Sequence, residues 1–424
     1  MLDIKFIREN KDAVKKNCKL RNIRCGLDRF LRLDDERKDL IQKIEELKGE
    51  KNRLNEEMKT VANKEEAIAK GKAIKDQLAE LEPKLEKAEK KWKKLYLQIP
   101  NMSHPNSPIG KDDSENKEIE RYGEPPKFSF EPKGHEELMK NLDLIDFERG
   151  AKVAGTKFYF LKNEAVFLEQ ALVNYALDIC VKEGFAAFST PDLAKDEILL
   201  GIGFNPRGQE SQIYSVEKTD LNLVGTAEIT MGGYHMNEIL PESELPKKYV
   251  ALSHCFRTEA GSYGRHSAGL FRVHQFTKVE MFAYTKPEKS EEMHTFLKDM
   301  EVKIFKGLGV PFRVVDICTG DLGGPAYRKY DLEAWMTSRN GWGEVTSTSD
   351  TTDYQARRLN VKVQRTDGKK EFLHMLNGTA IAVSRALIAI IENGQQADGS
   401  VVIPEVLRKY MPGEQKTIIP KARL

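Results

Sequence analysis

The hydrophobic positions of the first hundred residues follow a seven-residue repeat. One run recurs at every seventh residue and comprises Leu33, Leu40, Leu47, Leu54 and Val61. A second run alternates spacings of four and three and comprises Ile74, Leu78, Leu81, Leu85, Ala88, Trp92 and Leu95. This spacing predicts two helices with coiled-coil seams. With a turn in or near residues 61–70, they form an antiparallel hairpin over about residues 30–97, or else pair with another chain.

Such a hairpin has one apolar seam and no wider core, so it suits an arm that projects from a globular body. The commoner use of this pattern is an oligomerisation coiled coil with a solvated charged surface. The alternative is a basic arm that lies along a phosphate backbone. The periodicity alone favours the first interpretation, and only the rest of the chain can change that.

Beyond the hairpin the pattern changes to that of a mixed α and β sequence. Three prolines interrupt residues 98–114 and predict a boundary between domains at 1–105 and 106–424. A helical face starts near residue 161 and ends at Gly184, and a short strand follows at 185–189. Further strands are predicted at 212–215, 249–256, 279–284 and 312–317. Because these strands do not alternate regularly with helices, we expect an α+β domain, an antiparallel sheet flanked by helices.

Charge changes this picture. The 424 residues carry 68 Lys or Arg and 66 Asp or Glu, which nearly cancel. Residues 1–100 hold 27 basic and 20 acidic side chains, net +7, whereas the remainder holds 41 and 46, net −5. A basic first part joined to an acidic remainder indicates an anionic partner for the basic part.

Several classes of protein are disfavoured. We find no apolar run near the ~18 residues of a membrane span, and the first residues do not follow the order of a secretory signal. The five cysteines form neither a CxxC pair nor a zinc-like cluster. We therefore expect free thiols and a cytoplasmic location, with an organellar matrix left open if a presequence has been removed.

Residues 255–282 concentrate candidate chemistry. A strand ends at Arg257, a Gly/Ser-rich loop with Arg265 follows, and a second strand returns over 271–280 with Arg272. Fixed positive charge around a turn suits a polyphosphate. Phe276 offers a planar face for a base, while Glu259 and Glu280 are acceptors for amines. An ordinary surface hairpin with salt bridges is an equally good interpretation of this segment alone.

The segment resembles motif 2 of the class II aminoacyl-tRNA synthetases, in the form typical of the seryl-tRNA synthetases. Other segments resemble motif 1 (184–191), motif 3 (378–385), the serine-binding loop (226–228), and the metal- and ATP-binding strand (344–347 with 353–358). The hairpin matches the family's tRNA-binding arm. The resemblance covers the chain in the family's order, and five motifs in register outweigh the ordinary interpretation of each residue.

The resemblance implies an enzyme that activates L-serine with ATP and transfers it to tRNA(Ser), with tRNA(Sec) left open. It implies catalytic roles for Arg257, Glu280 and Arg385. The ATP-binding residues it implies are Arg257, Thr258, Glu259, Arg272, Val273, Phe276, Glu344, Val345, Thr346, Ser347 and Arg385. Those for serine are Thr226, Ala227, Glu228, Arg257, Glu280 and Thr379. It also implies Mg²⁺ at Glu344 and Ser347, no zinc, a homodimer, and tRNA(Ser) bound by the basic arm.

Two departures from the family pattern stand out. The family usually has Ser-Cys-Ser-Asn where this chain has Ser347-Thr348-Ser349-Asp350. Thr348 is a modest change, but Asp350 replaces a donor with a negative charge that we expect near the serine pocket. There it would either lower serine affinity or be offset by a nearby arginine.

Two other functions are alternatives to a serine–tRNA ligase. A ligase that charges a carrier protein would lack the long arm, which this chain has. A catalytically inactive paralogue retained for binding would be expected to lose Arg257, Glu280 or Arg385, and all three are present. Asp350 is the residue that favours the inactive paralogue.

Overall fold

The computed structural model describes residues 1–58, 64–204, 212–259 and 269–420. The chain divides into two compact units, Met1–Pro100 and Asn101–Leu424. The first unit is helical, and its helices are α1 (Ile4–Glu9), α2 (Lys11–Leu20), α3 (Leu27–Glu57) and α4 (Lys64–Tyr96).

The long helices α3 and α4 pack side by side as an antiparallel hairpin, which confirms the helical arm. Phe30 near the start of α3 lies 5.1 Å from Tyr96 at the end of α4, measured between ring centroids. Arg37 interrupts the apolar seam, and its guanidinium lies 4.5 Å from the Trp92 ring. Because α4 already begins at Lys64, most of the predicted turn at 61–70 is helical, and 59–63 lie outside the described residues.

The cysteines correct one expectation. Cys18 and Cys25 form a disulfide at the end of α2, so the prediction of free thiols is wrong for this pair. Cys180, Cys255 and Cys318 are free and buried. Cys18 and Cys25 are separated by seven positions, a spacing that matches no recognised motif, so the bond could not be predicted from spacing.

The second unit is built from short and long elements in mixed order. Its helices are α5 (His135–Asn141), α6 (Phe147–Ala154), α7 (Glu164–Lys182), α8 (Asp196–Ile202), α9 (Ala227–Gly233), α10 (Ser290–Leu308), α11 (Tyr354–Leu359), α12 (Val383–Asn393) and α13 (Glu405–Arg408). Its strands are β1 (Lys117–Tyr122), β2 (Ile145–Asp146), β3 (Phe160–Leu161), β4 (Ala186–Ser189), β5 (Leu193–Lys195), β6 (Leu221–Leu223), β7 (Ile239–Pro241), β8 (Lys247–Phe256), β9 (Gln275–Thr285), β10 (Phe312–Asp316), β11 (Arg328–Met336), β12 (Gly341–Asp350), β13 (Lys362–Gln364), β14 (Lys370–Phe372), β15 (His374–Ala382), β16 (Val401–Val402) and β17 (Thr417–Ile418).

Among the described residues, the main sheet has eight strands in the order β1-β10-β11-β12-β15-β9-β8-β4. Its neighbours are antiparallel except β4 and β8, which are parallel. The predicted antiparallel α+β domain is therefore confirmed. The strand predicted at 212–215 is wrong, since that segment makes only an isolated bridge from Ser215 to Asn222. The return strand predicted over 271–280 begins only at Gln275.

The central strand β9 shows how the sheet separates two cores. Val279, Met281 and Ala283 belong to the larger apolar cluster, which includes residues of α7, α10 and α12. Phe282 and Tyr284 alternate with them and pack in a second cluster, with residues of α8, α9 and α11. Because alternate residues of a strand point to opposite faces, Lys278 and Glu280 share the face of Phe282.

Across the described ranges, no helix is both long enough and apolar enough to span a membrane.

Candidate active site

A pocket of about 420 Å³ lies in the second unit, on β9, β12 and β15. Most of the predicted site residues line it. They are Thr226, Glu228, Arg257, Glu259, Val273, Phe276, Glu280, Glu344, Val345, Thr346, Ser347, Thr379 and Arg385. Thus segments that lie far apart in the sequence meet around one cavity.

Two carboxylates and a lysine form one end of the pocket, where four of the residues predicted to bind serine lie with Lys278. We name this group the serine subsite after that prediction, and it comprises Thr226, Glu228, Lys278, Glu280 and Thr379. Lys278 Nζ donates to Thr226 Oγ1 over 3.1 Å and forms an ion pair with Glu280. Thr379 and Glu280 are register partners on β15 and β9. Thr226 also caps α9, where its hydroxyl accepts the Glu228 backbone N–H.

The Glu228 carboxyl is held in polar but poorly hydrated surroundings. Gln355 donates to it over 2.9 Å from α11. Burial is the main cause that raises the pKa of Glu228, the Glu280 carboxylate raises it further, and the resulting pKa is about 7. Glu228 therefore changes charge near neutral pH, and its charge is available to an ammonium group above that pH.

Arg257 directly follows β8 and lies between the serine subsite and the rest of the pocket. Its guanidinium donates to the Gly225 carbonyl over 3.2 and 3.3 Å, beside Thr226. The same guanidinium lies 5.2 Å from the centre of the Phe276 ring. A fixed cation and an aromatic face thus stand next to each other, as a nucleotide requires.

Glu259 and Arg272 face each other across the two segments of the predicted motif 2. Arg272 Nη1 lies 3.2 Å from Glu259 Oε2, and the Glu259 side chain is largely buried. Residues 260–268, including the predicted Arg265, lie outside the described residues. Arg272 itself does not line the pocket and reaches it through this ion pair.

Glu344 and Arg385 form a second ion pair at the opposite wall. Arg385 Nη1 lies 3.1 Å from Glu344 Oε1 and also donates to the Glu344 carbonyl over 3.0 Å. Desolvation would raise the pKa of Glu344, but the nearby Arg385, Lys329 and Arg257 hold it at about 2. Glu344 is consequently a carboxylate at every physiological pH.

Ser347 lies beside a buried acid that the sequence did not single out. Asp331 is the register partner of Ser347 on β11, and its ion-pair partner is Lys329 at 3.0 Å. Burial is the main cause that raises the pKa of Asp331 to about 7. Three oxygen-bearing side chains therefore stand on neighbouring strands, namely Asp331, Glu344 and Ser347.

The two departures from the family pattern are accommodated away from the cavity. The Thr348 hydroxyl donates to the Asn377 carbonyl over 2.8 Å. Asp350 is buried, and its oxygens accept from Ser290 Oγ over 2.8 Å and from the Thr352 backbone N–H over 2.7 Å. The charge expected near serine is thus directed to the start of α10.

Two predicted residues besides Arg272 do not line the pocket. Ala227 is fully buried behind it, and Thr258 lies between Arg257 and Glu259 without reaching the cavity. Sequence reasoning missed Lys278, Lys329 and Asn377, which do line it. Lys278 carried a signal, since it alternates with Phe276 and Glu280 on one strand face, whereas Lys329 and Asn377 carried none that a single sequence reveals.

Comparison with known proteins agrees with this geometry. Residues 213–394 match the model of the tRNA synthetase class II core domain (G, H, P, S and T), and residues 1–103 match that of the seryl-tRNA synthetase N-terminal domain. The serine–tRNA ligase of Treponema denticola is 58% identical over 97% of this chain and 98% of the relative. That of Rubrobacter xylanophilus is 54% identical over 98% of each.

Solved structures give the same result. The seryl-tRNA synthetase of Pyrococcus horikoshii, complexed with ATP, has a TM-score of 0.89 and 40% identity, and each chain is fully covered. The cytoplasmic serine–tRNA ligase of Naegleria fowleri, in complex with AMP, has a TM-score of 0.83 and 33% identity, over 100% of this chain and 99% of that one.

Proposed function

The chain belongs to the seryl-tRNA synthetase family, and we propose that its pocket carries out both steps of serine–tRNA ligation as follows. A serine carboxylate oxygen attacks the α-phosphorus of ATP, the bond to the β-phosphate oxygen breaks, and pyrophosphate leaves. The 3′-hydroxyl of the terminal adenosine of tRNA(Ser) then attacks the carbonyl carbon of seryl-adenylate. AMP leaves, and the hydroxyl loses its proton. Neither step needs a covalent enzyme intermediate, so the protein acts by positioning and by charge.

The observation that carries this proposal is the continuity of the serine subsite, within one pocket, with Arg257, Arg385 and the Phe276 ring. Glu228 takes the ammonium of serine, while Glu280 and Thr379 bind its hydroxyl. With Lys278, the two carboxylates leave one net negative charge, which matches one ammonium group. Alanine would leave Glu280 and Thr379 without the hydroxyl that they bind in serine, so a site of this kind should reject alanine strongly.

ATP occupies the rest of the pocket in this proposal. Arg257 binds the α-phosphate and the serine carboxylate, and the ring of Phe276 stacks on adenine. Glu259 accepts from the adenine amine. Arg272 and Arg385 bind the γ-phosphate end, which suits guanidinium groups that can form paired hydrogen bonds. The backbone and side chains of Thr258, Val273, Val345 and Thr346 complete the ATP site.

Mg²⁺ fits the oxygen donors at Glu344 and Ser347. Within the described residues no cluster of three His, Cys, Asp or Glu is poised to enclose a metal. A site with one permanent carboxylate and one hydroxyl suits Mg²⁺, which keeps several waters and is bound mainly through substrate phosphates. When bound, the ion would neutralise phosphate charge, and Arg385 holds Glu344 in place for it.

The hairpin of α3 and α4 is the proposed tRNA-binding arm, within a domain of residues 1–105. Residues 106–424 then form the catalytic domain. Residues 1–100 carry a net charge of +7, of which +5 lies in residues 1–26 and +2 in residues 27–100. This excess supports RNA binding by the first domain, because RNA binding is driven largely by phosphate contacts. A cytoplasmic location, where translation consumes charged tRNA, is part of the same proposal.

A homodimer formed through the motif 1 region is also proposed. Among the described strands, β4 forms one of the two edges of the main sheet, and β1 forms the other. Large apolar side chains on and near α7 are exposed, with Phe160 at 46%, Phe167 at 43% and Val181 at 50%. An open edge beside exposed apolar side chains is a common feature of interfaces. Light scattering of the purified chain should give twice the mass of 48.3 kDa.

Aminoacylation tests the proposed function directly. The full chain, ATP, serine and a tRNA(Ser) transcript should give seryl-tRNA, and serine-dependent ATP–pyrophosphate exchange should occur with and without tRNA. Exchange without tRNA charging would instead favour the carrier-protein ligase. Neither exchange nor charging would favour the inactive paralogue.

A further inference from the structure

His135 and Glu392 form a buried pair outside the pocket. His135 is the first residue of α5, Glu392 lies in the last turn of α12, and they are 5% and 0% exposed. His135 Nδ1 lies 2.7 Å from Glu392 Oε1, and the His135 backbone N–H donates to the same oxygen over 3.0 Å. A buried carboxylate is costly unless it is satisfied in this way.

The second ring nitrogen of His135 fixes its protonation. Nε2 lies 3.1 Å from the backbone nitrogen of Leu270, whose N–H can only donate. Nε2 therefore accepts, and Nδ1 carries the proton that is donated to Glu392. The neutral ring connects a carboxylate on one side to a backbone amide on the other.

The neighbouring Gly269 shows how closely the ring approaches this backbone. Its φ is +62°, and a Cβ at this position would lie only 2.1 Å from His135 Nε2. A side chain at 269 would collide with the ring and would also be strained by the positive φ. The contact between His135 and this segment is thus built into the sequence.

Leu270 directly precedes Phe271 and Arg272, which lie at the proposed ATP site. Phe271 lines the pocket, and the guanidinium carbons of Arg385 and Arg339 lie 4.7 and 4.2 Å from its ring centre. Arg272 follows and pairs with Glu259. The hydrogen bond from Leu270 therefore holds the point from which Phe271 and Arg272 extend.

Glu392 connects this segment to the other arginines. Its Oε2 accepts the Ser338 backbone N–H over 2.9 Å, and Ser338 precedes Arg339. Glu392 also lies on α12, the helix that begins with Arg385 in its first turn. One carboxylate thus joins the three segments that carry Arg272, Arg339 and Arg385.

From this geometry we propose that His135 and Glu392 are positioning residues for ATP. The pair sets the relative placement of Phe271, Arg272 and Arg385 without touching the substrate. This inference rests on the proposed function, since it requires that ATP binds beside Arg272, Arg339 and Arg385.

Two substitutions of His135 separate positioning from folding. His135→Asn retains a donor near Nδ1 for Glu392 but loses the acceptor for Leu270, whereas His135→Gln offers an acceptor near Nε2. Loss of one hydrogen bond should raise the KM for ATP about fivefold in His135→Asn, with the KM for serine nearly unchanged and His135→Gln closer to the wild type. An unchanged KM for ATP, or equal rises for ATP and serine, would overturn the proposal.

His235→Asn is a matched control. His235 forms a similar pair with Glu238, with Nδ1 at 2.6 Å, and its Nε2 lies 2.8 Å from the Tyr249 hydroxyl. This substitution should lower the thermal midpoint without raising the KM for ATP; an equal rise in that KM would contradict a specific role for His135.

Hydrogen–deuterium exchange provides a readout that does not depend on activity. The Leu270 amide should exchange several-fold faster in His135→Asn than in the wild type, and His135→Gln should restore protection. Unchanged exchange in His135→Asn would overturn the proposed contact. If the wild type showed no serine-dependent pyrophosphate exchange, the proposed function would fail, while this readout would still test the contact.

Discussion

Lys278 is the residue whose charge the serine subsite most depends on. Its ammonium group contacts both Thr226 and Glu280 and is almost fully buried. Lys278→Met would leave two carboxylates without their cation and one threonine without its donor. We expect kcat/KM for serine to fall on the order of 100-fold, because breaking a buried ion pair is strongly unfavourable, with a much smaller change in the KM for ATP.

Two further variants act as controls for Lys278. Lys278→Arg keeps the positive charge and should be intermediate. Lys286→Met removes an ion pair with Glu242 outside the pocket and should leave the serine kinetics unchanged. A Lys278→Met enzyme with wild-type kcat/KM for serine would show that the lysine does not organise the subsite.

Glu228 predicts a pH dependence of serine binding. With a pKa of about 7 in the free protein, its carboxyl is neutral below that pH and charged above it. The ammonium of serine stays protonated throughout this range. The KM for serine should therefore rise as pH falls, by up to about tenfold per unit below pH 7. Initial rates between pH 5.5 and 8.5 give the KM for serine at each pH. In Glu228→Gln this KM should be high and independent of pH. A KM that still changed with pH in this variant would show that a group other than Glu228 titrates.

Asp350 predicts a pH dependence of stability. Burial is the main cause that raises its pKa to about 6, so the folded state binds this proton more tightly than the unfolded state. Stability is therefore lost as pH rises from about 4 to above 6. Asp350→Asn should increase the free energy of unfolding by on the order of 2 kcal/mol at pH 8, and by less at pH 5.

Thermal and urea unfolding at the two pH values test this prediction. The KM for serine should not change in Asp350→Asn, since the side chain is directed to Ser290 and Thr352. A lower serine KM in this variant would restore the view that Asp350 repels part of the substrate site.

Among the helices and strands, sequence patterns correctly predicted the elements whose packing partner is adjacent in the sequence. The heptad spacing gave the hairpin because its seam is internal to two neighbouring helices. The strand predicted at 212–215 failed because a short apolar pattern does not specify a partner strand. Similarly, the return strand begins only at Gln275. It is preceded by Gly269 with a φ of +62° and by the hydrogen bond from Leu270 to His135, and neither feature can be predicted from hydrophobic alternation.

Removal of the arm tests whether the hairpin binds tRNA while the catalytic domain alone activates serine. Deleting residues 33–95 and joining the ends with a short Gly/Ser linker should leave serine-dependent pyrophosphate exchange within a few-fold of the wild type. Charging of tRNA(Ser) should be lost, because the phosphate contacts of the basic hairpin would be gone. Wild-type charging by the deleted chain, measured beside the full chain, would show that the arm assignment is wrong.

At the scale of the whole molecule, the order of motifs predicted the fold and most of the pocket lining. What a single sequence could not supply were pairings across long separations. Gln355 donates to Glu228 from 127 positions away, and Glu392 meets His135 from 257 positions away. Such pairs depend on the completed sheet, which alone brings α9 to α11 and α5 to α12.

The near-cancellation of charge also belongs to this scale. Residues 1–100 carry a net charge of +7 and residues 101–424 a net charge of −5, which is consistent with two binding tasks. The first unit is proposed to offer its positive charge to a phosphate backbone, whereas the pocket places a few arginines against buried carboxylates. The pocket is proposed to set the identity of the amino acid.

ATP–pyrophosphate exchange with a panel of amino acids measures the selectivity of the pocket. The full chain should exchange with serine, while alanine, which lacks the hydroxyl, should be slower by on the order of 10³-fold or more in kcat/KM. Threonine should be rejected because its methyl group does not fit. No exchange at saturating serine, or exchange with alanine at a similar rate, would contradict the account.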